Sequence, residues 1–529
     1  MWKVVAVVLY CAVLLLIGYF ASKRMKDIRD YFAGGKKLGF INVAFSSRAT
    51  GESSWLLLGL TGSGFLFGVQ GFWVVLGELI GVGGAWLLLA RRFKRLTDRY
   101  DSITMPDYLE SRLRDSGHWI RLIAAGALVI FVPIYAGSQV FATGKAFNAF
   151  LDLNHFLGAF IGFLVVLLYI TKGGFVAVVW SDVFQGTLML IGLVVLPIVG
   201  VLEMSGVTNV IDTLHSIDPH LLSLHGPGPI PKGQKLPDPS TGGWTSLTIV
   251  RIIGFAAIGI GFLGSPQVFV RFISLKSEKE IASGAGVAML WTILADSGAV
   301  LVGIVGRSLF SFDEIATDAN NILPHMSQVL LPAFVAGVFI AMVLAAIMST
   351  IDSLLVVASS AAVRDYWQKT RHPEMSDERL IRLSERTTLT LALISFAIGM
   401  GMIANNPNKE IFWVVIFGWS GIAATFCPVV ILSLFWSGLT AMGARVAMVV
   451  GFLSVPFFSF AAPKIAEGFG WDNGKDYLGA LDVLLPAFIL SALAAVVVSL
   501  LDRRGQHRLQ GVADDLHFAS GHNRESTSE

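Results

Sequence analysis

Charged residues are scarce in this chain of 529 amino acids: Asp, Glu, Lys and Arg make up 14% of it, against 54% hydrophobic residues. A water-soluble domain carries about 25% charge, so the composition excludes an ordinary globular protein in water. The formal net charge of +2 offers nucleic acid nothing to bind. Only two cysteines occur, Cys11 and Cys427, both in apolar stretches, which excludes a disulfide framework and a cysteine metal site. Histidines such as His215, His220 and His225 fall mainly in loops. No metal-ligand spacing or nucleophile–base motif recurs inside the apolar stretches, so an enzyme is the weakest reading.

What the chain has in abundance is long apolar stretches, and its mean hydropathy is +0.69. A hydrocarbon core of about 30 Å needs about 20 apolar residues per helix, and such stretches recur from Val4 to Leu501. Breaking them at charged or Gly/Pro loops predicts an all-α integral membrane protein with about thirteen spans. They lie near 3–21, 39–68, 71–90, 119–145, 155–171, 178–203, 245–271, 282–306, 329–361, 386–404, 411–436, 443–462 and 481–501. The first ends in the basic GYFASKRMK without a small-residue cleavage site, so it reads as a retained helix rather than a signal peptide.

Basic residues concentrate in alternate loops. Lys23, Arg24, Lys26, Arg29, Lys36 and Lys37 fill one, and Arg91, Arg92, Lys94, Arg95, Arg99, Arg112 and Arg114 the next of that parity. Arg364, Lys369, Arg371, Arg379 and Arg382, then Arg503 and Arg504, continue the series. The positive-inside rule makes these sides cytoplasmic, with the N-terminus outside and the C-terminus inside. The expected organisation is 1–38, first helix and cytoplasmic loop; 39–204, first repeat; 205–244, extracellular loop; 245–437, second repeat; 438–502, two further helices; and 503–529, a disordered cytoplasmic tail.

Function should reside where an apolar helix is interrupted, because irregular backbone at membrane depth survives only when it is buried in protein or lines a cavity. The second span contains SSRATGESSW at 46–55, and the seventh contains GFAAIGIGFLGSP at 254–266. Five spans separate them. Spans 2–6 and 7–11 thus read as two five-helix halves, each opening with a discontinuous helix, as in an inverted-repeat transporter.

Arg48 and Glu52, in the first break, must be compensated, since one charge at the bilayer centre costs about 2.5–3.5 kcal/mol. Two readings stay open: a mutual i,i+4 salt bridge that staples the break, or Arg48 for a substrate carboxylate and Glu52 for a cation. In the ninth span, Ser349, Thr350 and Asp352 offer the oxygen donors that a hard cation prefers.

At these residues the sequence resembles the sodium:solute symporter family, and most its sodium/proline symporter branch. The likeness runs from about Val4 to Ser437 or beyond. It includes DYFAGGKKLG at 30–39, ATGESSWLLLGLTG at 49–62, MPDYLESR at 105–112 and GGFVAVVWSDVFQGTLM at 173–189. It continues through GSPQVFVRF at 264–272, LAAIMSTIDSLLVVASSA at 344–361 and NPNKEIFWVVIFGWSGIAATFCPVV at 406–430.

The resemblance implies a LeuT-type 5+5 inverted-repeat core, Na+ as coupling ion and a plasma-membrane location. It assigns a sodium site to the carbonyls of Ala49, Glu52 and Ala346 with the hydroxyls of Ser349 and Thr350. Asp182, with Asp352, becomes a candidate second cation site, and Ser53, Trp55, Tyr135 and Pro266 match substrate positions. The departures matter: Gly51 stands where the branch has an aspartate, with Glu52 beside it, and Ile258 and Phe262 replace an aromatic pair of the proline site. Glu78, Asp296 and Asp352 add acids within apolar spans and raise proton coupling or extra cation sites as alternatives.

The expected function is sodium-coupled import of a small organic solute, an amino acid such as proline, by alternating access. The expected partners are the solute, sodium and the bilayer, with no nucleic acid and no obligatory protein partner. Rivals are a proton-coupled symporter and a membrane-embedded solute sensor.

Overall fold

With lipid as solvent, every backbone N–H and C=O must be satisfied within the chain, and helices do this segment by segment. A computed structural model describes residues 1–23, 28–170, 174–231, 234–407, 409–471 and 473–521, and among them the regular secondary structure is helical apart from one parallel bridge between Leu38 and Leu275. Among the basic loop residues of the orientation argument, Arg24 and Lys26 lie outside the described residues.

The helices that matter for the site are α1 (Trp2–Ser22), α2 (Phe40–Ser54), α3 (Thr61–Phe67), α4 (Phe72–Gly83) and α5 (Trp119–Leu151). They are followed by α6 (Gly174–Glu203), α7 (Ser246–Ala257), α8 (Pro266–Ser274), α9 (Ile281–Leu309), α10 (Ala333–Ser360) and α11 (Asp377–Asn405). The last are α12 (Ile411–Phe435), α13 (Ala441–Pro456), α14 (Leu484–Leu501) and α15 (Val512–Ser520).

Among the described residues, 11 helical runs are long and apolar enough to cross a membrane. The expected thirteen is not reproduced by length and composition for two reasons. Phe40–Arg99 is one run of 60 residues that holds the expected second and third spans, and His155–Leu167 is apolar but shorter than a full crossing. Inside the long run, Gly68 takes φ +58° in a short 3₁₀ turn, Gly68–Gly71, between α3 and α4, a conformation that side chains rarely adopt.

Burial separates a centre from a periphery. The most apolar stretch of Ala333–Arg371 is 83% buried and that of Val414–Phe435 is 89% buried, whereas that of Trp2–Ala21 is only 22% buried. Exposed Ile80, Leu87, Leu88, Leu493 and Leu500 face outward, as they should where lipid takes the place of water. The first interrupted helix, α2, lies at the centre, packed against α6, α9 and α10. The backbone of α4 runs against the second interruption: a Cβ at Gly81 or Gly259 would collide with the opposing main chain, so glycine at both positions permits the approach.

The tail departs from expectation. Arg503–Arg508 and Val512–Ser520 are helices rather than disordered chain. Val512, Leu516 and Ala519 are buried, and Asp515 accepts a hydrogen bond from Tyr100 at 2.7 Å and pairs with Arg99 at 2.8 Å. These apolar residues recur at helical spacing, and the packing they gain offsets the ordering entropy. Residues 522–529 lie outside the described residues.

Candidate functional site at two broken helices

The helical path of α2 ends at Ser53, whose φ of 58° and ψ of −168° lie outside the helical region, and a π-turn follows over Trp55–Leu60. Side chains from elsewhere serve the backbone groups around this break. Ser54 N–H donates to Gln139 Oε1 at 3.0 Å, and the Trp55 indole N–H donates to Gly51 O at 3.2 Å. The Ser349 hydroxyl donates to Ala49 O at 2.9 Å, and the Thr350 hydroxyl to Thr50 O at 3.3 Å.

The second break follows the same logic. After α7 the chain tightens to 3₁₀ over Ile258–Leu263, Ser265 is extended, and Pro266 starts α8 at a position where its missing N–H costs nothing. Ile258 O accepts from the Trp419 indole at 3.2 Å, and Gly261 O accepts from Ser265 Oγ at 2.6 Å and Cys427 Sγ at 3.4 Å. Both helices are therefore interrupted, and the interruptions meet: a Cβ on Gly51 would lie 2.5 Å from the Phe262 ring. An aspartate there would need Phe262 to move, so glycine at 51 and phenylalanine at 262 fit as a pair.

Three polar groups converge at this level. The first is an oxygen cluster in which Ser349 and Thr350 also donate to Ala346 O, each at 3.1 Å, and Ala49, Ala346, Ser349 and Thr350 are all fully buried. Its donors are neutral hydroxyl and carbonyl oxygens, the chemistry a hard monovalent cation takes. Of the expected ligand set, Ala49, Ala346, Ser349 and Thr350 are brought together by hydrogen bonds; Glu52 is expected there through its carbonyl, and its carboxylate turns separately to Arg48 one turn earlier. Thr50, not picked out from the sequence, supplies the carbonyl that faces Thr350.

The second group lies around Asp182. Its Oδ2 accepts from Ser46 at 2.5 Å and from Arg271 Nη2 at 3.0 Å. Arg271 donates to Ser46 Oγ at 2.7 Å and Ser353 Oγ at 2.6 Å and also bonds Thr50 Oγ1, while Ser353 donates to Asp352 at 3.2 Å. Asp182 and Asp352 thus belong to one network, but a guanidinium stands beside Asp182 where a second cation was expected. Arg271 was hidden in GSPQVFVRF because a basic residue near a span end reads as a positive-inside signal.

The third group answers the question left open for Arg48. Arg48 pairs with Glu52, with Glu78 on α4 at 2.8 Å and with Asp296 on α9 at 3.5 Å, and all four side chains are at most 1% exposed. Phe262 and Trp291 lie under the guanidinium at 4.8 and 5.4 Å. Carboxylate oxygens of Glu52, Glu78 and Asp296 all fall within 4.8 Å of one another. At an effective dielectric near 20, two full charges that far apart repel by roughly 3.5 kcal/mol. Arg48 Nε and Nη1, Glu52 Oε2, Glu78 Oε1 and Asp296 Oδ1 are buried without a hydrogen-bond partner among the described residues.

Of the expected substrate residues, Ser53, Trp55, Tyr135 and Phe262 gather round the first break. Trp55 meets Phe412 edge-on at 6.1 Å, and Phe262 packs on Trp419 at 5.0 Å. The Tyr135 phenol is buried and has no hydrogen-bond partner among the described residues. Ile258 contributes its carbonyl to Trp419, as above, and Pro266 lines a crevice with Val270, Val356 and Leu128.

A helical bundle with two meeting interruptions at its centre, lined by buried ionisable and hydroxyl groups, is the architecture of a secondary transporter. The fold matches that of a Na+-coupled sialic acid symporter, solved in a substrate-bound outward-open state, with a TM-score of 0.73 at 18% identity over 95% of this chain and 98% of that one. It is the LeuT fold. The sequence profile of the sodium:solute symporter family matches residues 31–451, and the chain belongs to that family. It is 31% identical to the osmoregulated proline transporter OpuE of Bacillus subtilis over 97% of this chain and 98% of that protein. It is also 33% identical to the high-affinity proline transporter PutP of the same organism, over 95% and 98%, and 29% identical to the sodium/proline symporter of Escherichia coli, over 96% and 95%. These relatives are transporters, not enzymes.

Proposed function

We propose that the chain imports a small organic solute, an amino acid such as proline, together with sodium across the plasma membrane by alternating access. The observation that carries this reading is the pairing of the Ser349 and Thr350 hydroxyls with the Ala49 and Thr50 carbonyls at the break of α2. Sodium is held by Ala49, Glu52 and Ala346 through their carbonyls and by Ser349 and Thr350. The solute lies among Ser53, Trp55, Tyr135, Ile258 and Phe262. The repeats 39–204 and 245–437 rock about this point, with the N-terminus outside and the C-terminus in the cytoplasm.

Sodium entry has the energy the task needs. One charge crossing about 100 mV releases roughly 2.3 kcal/mol, which supports roughly 40-fold accumulation before any chemical gradient is added. Coupling requires that sodium favour the conformation that binds solute better, and a break shared by both ligands provides that link. The test is uptake of labelled proline, then of a panel of amino acids, organic acids and sugars, into membrane vesicles. Replacing sodium by choline at fixed pH should abolish uptake, and undiminished uptake would reject sodium coupling.

A further inference from the structure

The sodium reading uses hydroxyls and carbonyls and leaves the Arg48 cluster without a task. Its formal charge is the difficulty. One guanidinium faces three carboxylates, all buried, on three different helices. A net charge of two negatives at membrane depth is unstable unless protons or another cation join it.

The guanidinium itself occupies the place a metal ion would take, since one nitrogen of Arg48 contacts all three acids. A proton needs no such space. Carboxylate oxygens of Glu78 and Asp296 lie within 4.8 Å of each other, and a proton on either one removes a charge from the facing pair. Tyr135 on α5 brings a further buried phenol to the break of α2, beside Ser53 and within the field of Glu78. Arg48 retains two buried donors, Nε and Nη1, with no acceptor.

We propose that Glu78 and Asp296, closed against Arg48 and Glu52, form an exchangeable proton site, and that protons bind and leave there as the transporter changes conformation. A carboxylate takes a proton from water when its side of the membrane is open and becomes a neutral carboxylic acid, so the cluster falls from two net negative charges to one. The proton returns to water when the other side opens. The groups facing it are Arg48 and Glu52 from α2, Glu78 from α4, Asp296 from α9 and Tyr135 from α5. The claim that the proton moves with the cycle rests on the alternating-access reading; the claim that it binds does not.

The two parts are tested separately. Infrared difference spectra of the purified full-length protein in lipid, recorded without solute, should contain the carbonyl stretch of a buried carboxylic acid at neutral pH. It should be lost on raising the pH. Glu78→Gln and Asp296→Asn, made singly and checked for monodisperse, folded protein, should each reduce that band, and Asp502→Asn should leave it unchanged. Absence of a titrating band in the wild type, or an identical band in both variants, would overturn the site whether or not the variants transport. In vesicles with a trapped pH dye, sodium-driven uptake of labelled proline should acidify the lumen, and Glu78→Gln should abolish the acidification. Sodium-driven uptake with no acidification would overturn proton movement while leaving sodium symport intact. A titrating band in a protein that moves none of the solute panel would uphold the site and reject the symport reading.

Discussion

Removing the hydroxyl of Ser349 or Thr350 tests the candidate sodium site most directly. Ser349 Oγ lies 2.9 Å from Ala49 O and 3.1 Å from Ala346 O, and Thr350 Oγ1 lies 3.3 Å from Thr50 O and 3.1 Å from Ala346 O. Ser349→Ala and Thr350→Ala each delete one oxygen from a small neutral set. Interactions of this kind with a charged partner contribute about 1.5–3 kcal/mol. At 1.4 kcal/mol per factor of ten, sodium affinity should fall roughly 10- to 150-fold in each variant. Thr50 O and Ala49 O also lose a donor, at a cost of about 1 kcal/mol to folding, small enough for the protein to reach the membrane. Ser359→Ala is the matched control. It lies on the same helix, is fully buried and donates only to Val356 O of its own helix at 3.1 Å. The assay is equilibrium binding of radiolabelled sodium to purified protein, followed by sodium dependence of uptake at clamped potential. Unchanged sodium affinity in both variants, or an equal loss in Ser359→Ala, would refute the reasoning.

Trp55→Phe keeps most of the ring volume but deletes the 3.2 Å indole bond to Gly51 O; solute KM should rise several-fold with little change in sodium affinity, measured by uptake at saturating sodium. Arg271→Gln leaves Asp182 buried without its guanidinium, and the melting temperature of detergent-solubilised protein should report a loss of about 3–5 kcal/mol, part of which Asp182→Asn in the same chain should restore. Asp107 sits in a helix outside the apolar spans, Met105–Leu113. Burial opposes its ionisation, but Arg364 and Arg121 outweigh burial and hold its pKa below the ordinary carboxylate value. Its pairing therefore stabilises the fold above the unfolded pKa of about 4 and is lost as pH falls through the lower folded value. Melting curves of wild type and Asp107→Asn should differ by a constant amount from neutral pH down to about pH 4 and converge below it.

The helices and their two interruptions were legible because the signals are local. Apolarity marks a span, and Gly254, Gly259, Gly261, Gly264 and Pro266 weaken one in a way any reader of the chain can see. The ninth-span hydroxyls were legible as oxygen donors, but their carbonyl partners only through resemblance, since nothing in spacing says that Ser349 faces a carbonyl 300 positions earlier. Arg48 shows the limit more sharply. Its partner at i+4 was readable from helical geometry, but Glu78 and Asp296 come from other helices, the second 248 positions away. Their separate costs of burial were visible in sequence; that the costs are met in one place was not. The tail misread is of another kind, because Val512, Leu516 and Ala519 did carry a helical period. Nine residues of it were outweighed by the polar composition around them.

Thr50 joins the two networks that any rocking motion must respect. Its carbonyl faces Thr350, while its hydroxyl bonds Arg271 and stands 2.9 Å from Ser353. Arg271 belongs to α8, the half-helix after the second break, and Thr50 to α2, the helix of the first. Displacing one interrupted helix against the other therefore strains the guanidinium contacts and the carbonyl geometry together. An ion that fixes the carbonyls also fixes Thr50, and through it the position of Arg271 between Asp182 and Ser353. With sodium bound there as proposed, the cost of separating the two helices would depend on the ion, which is the differential interaction that alternating access requires.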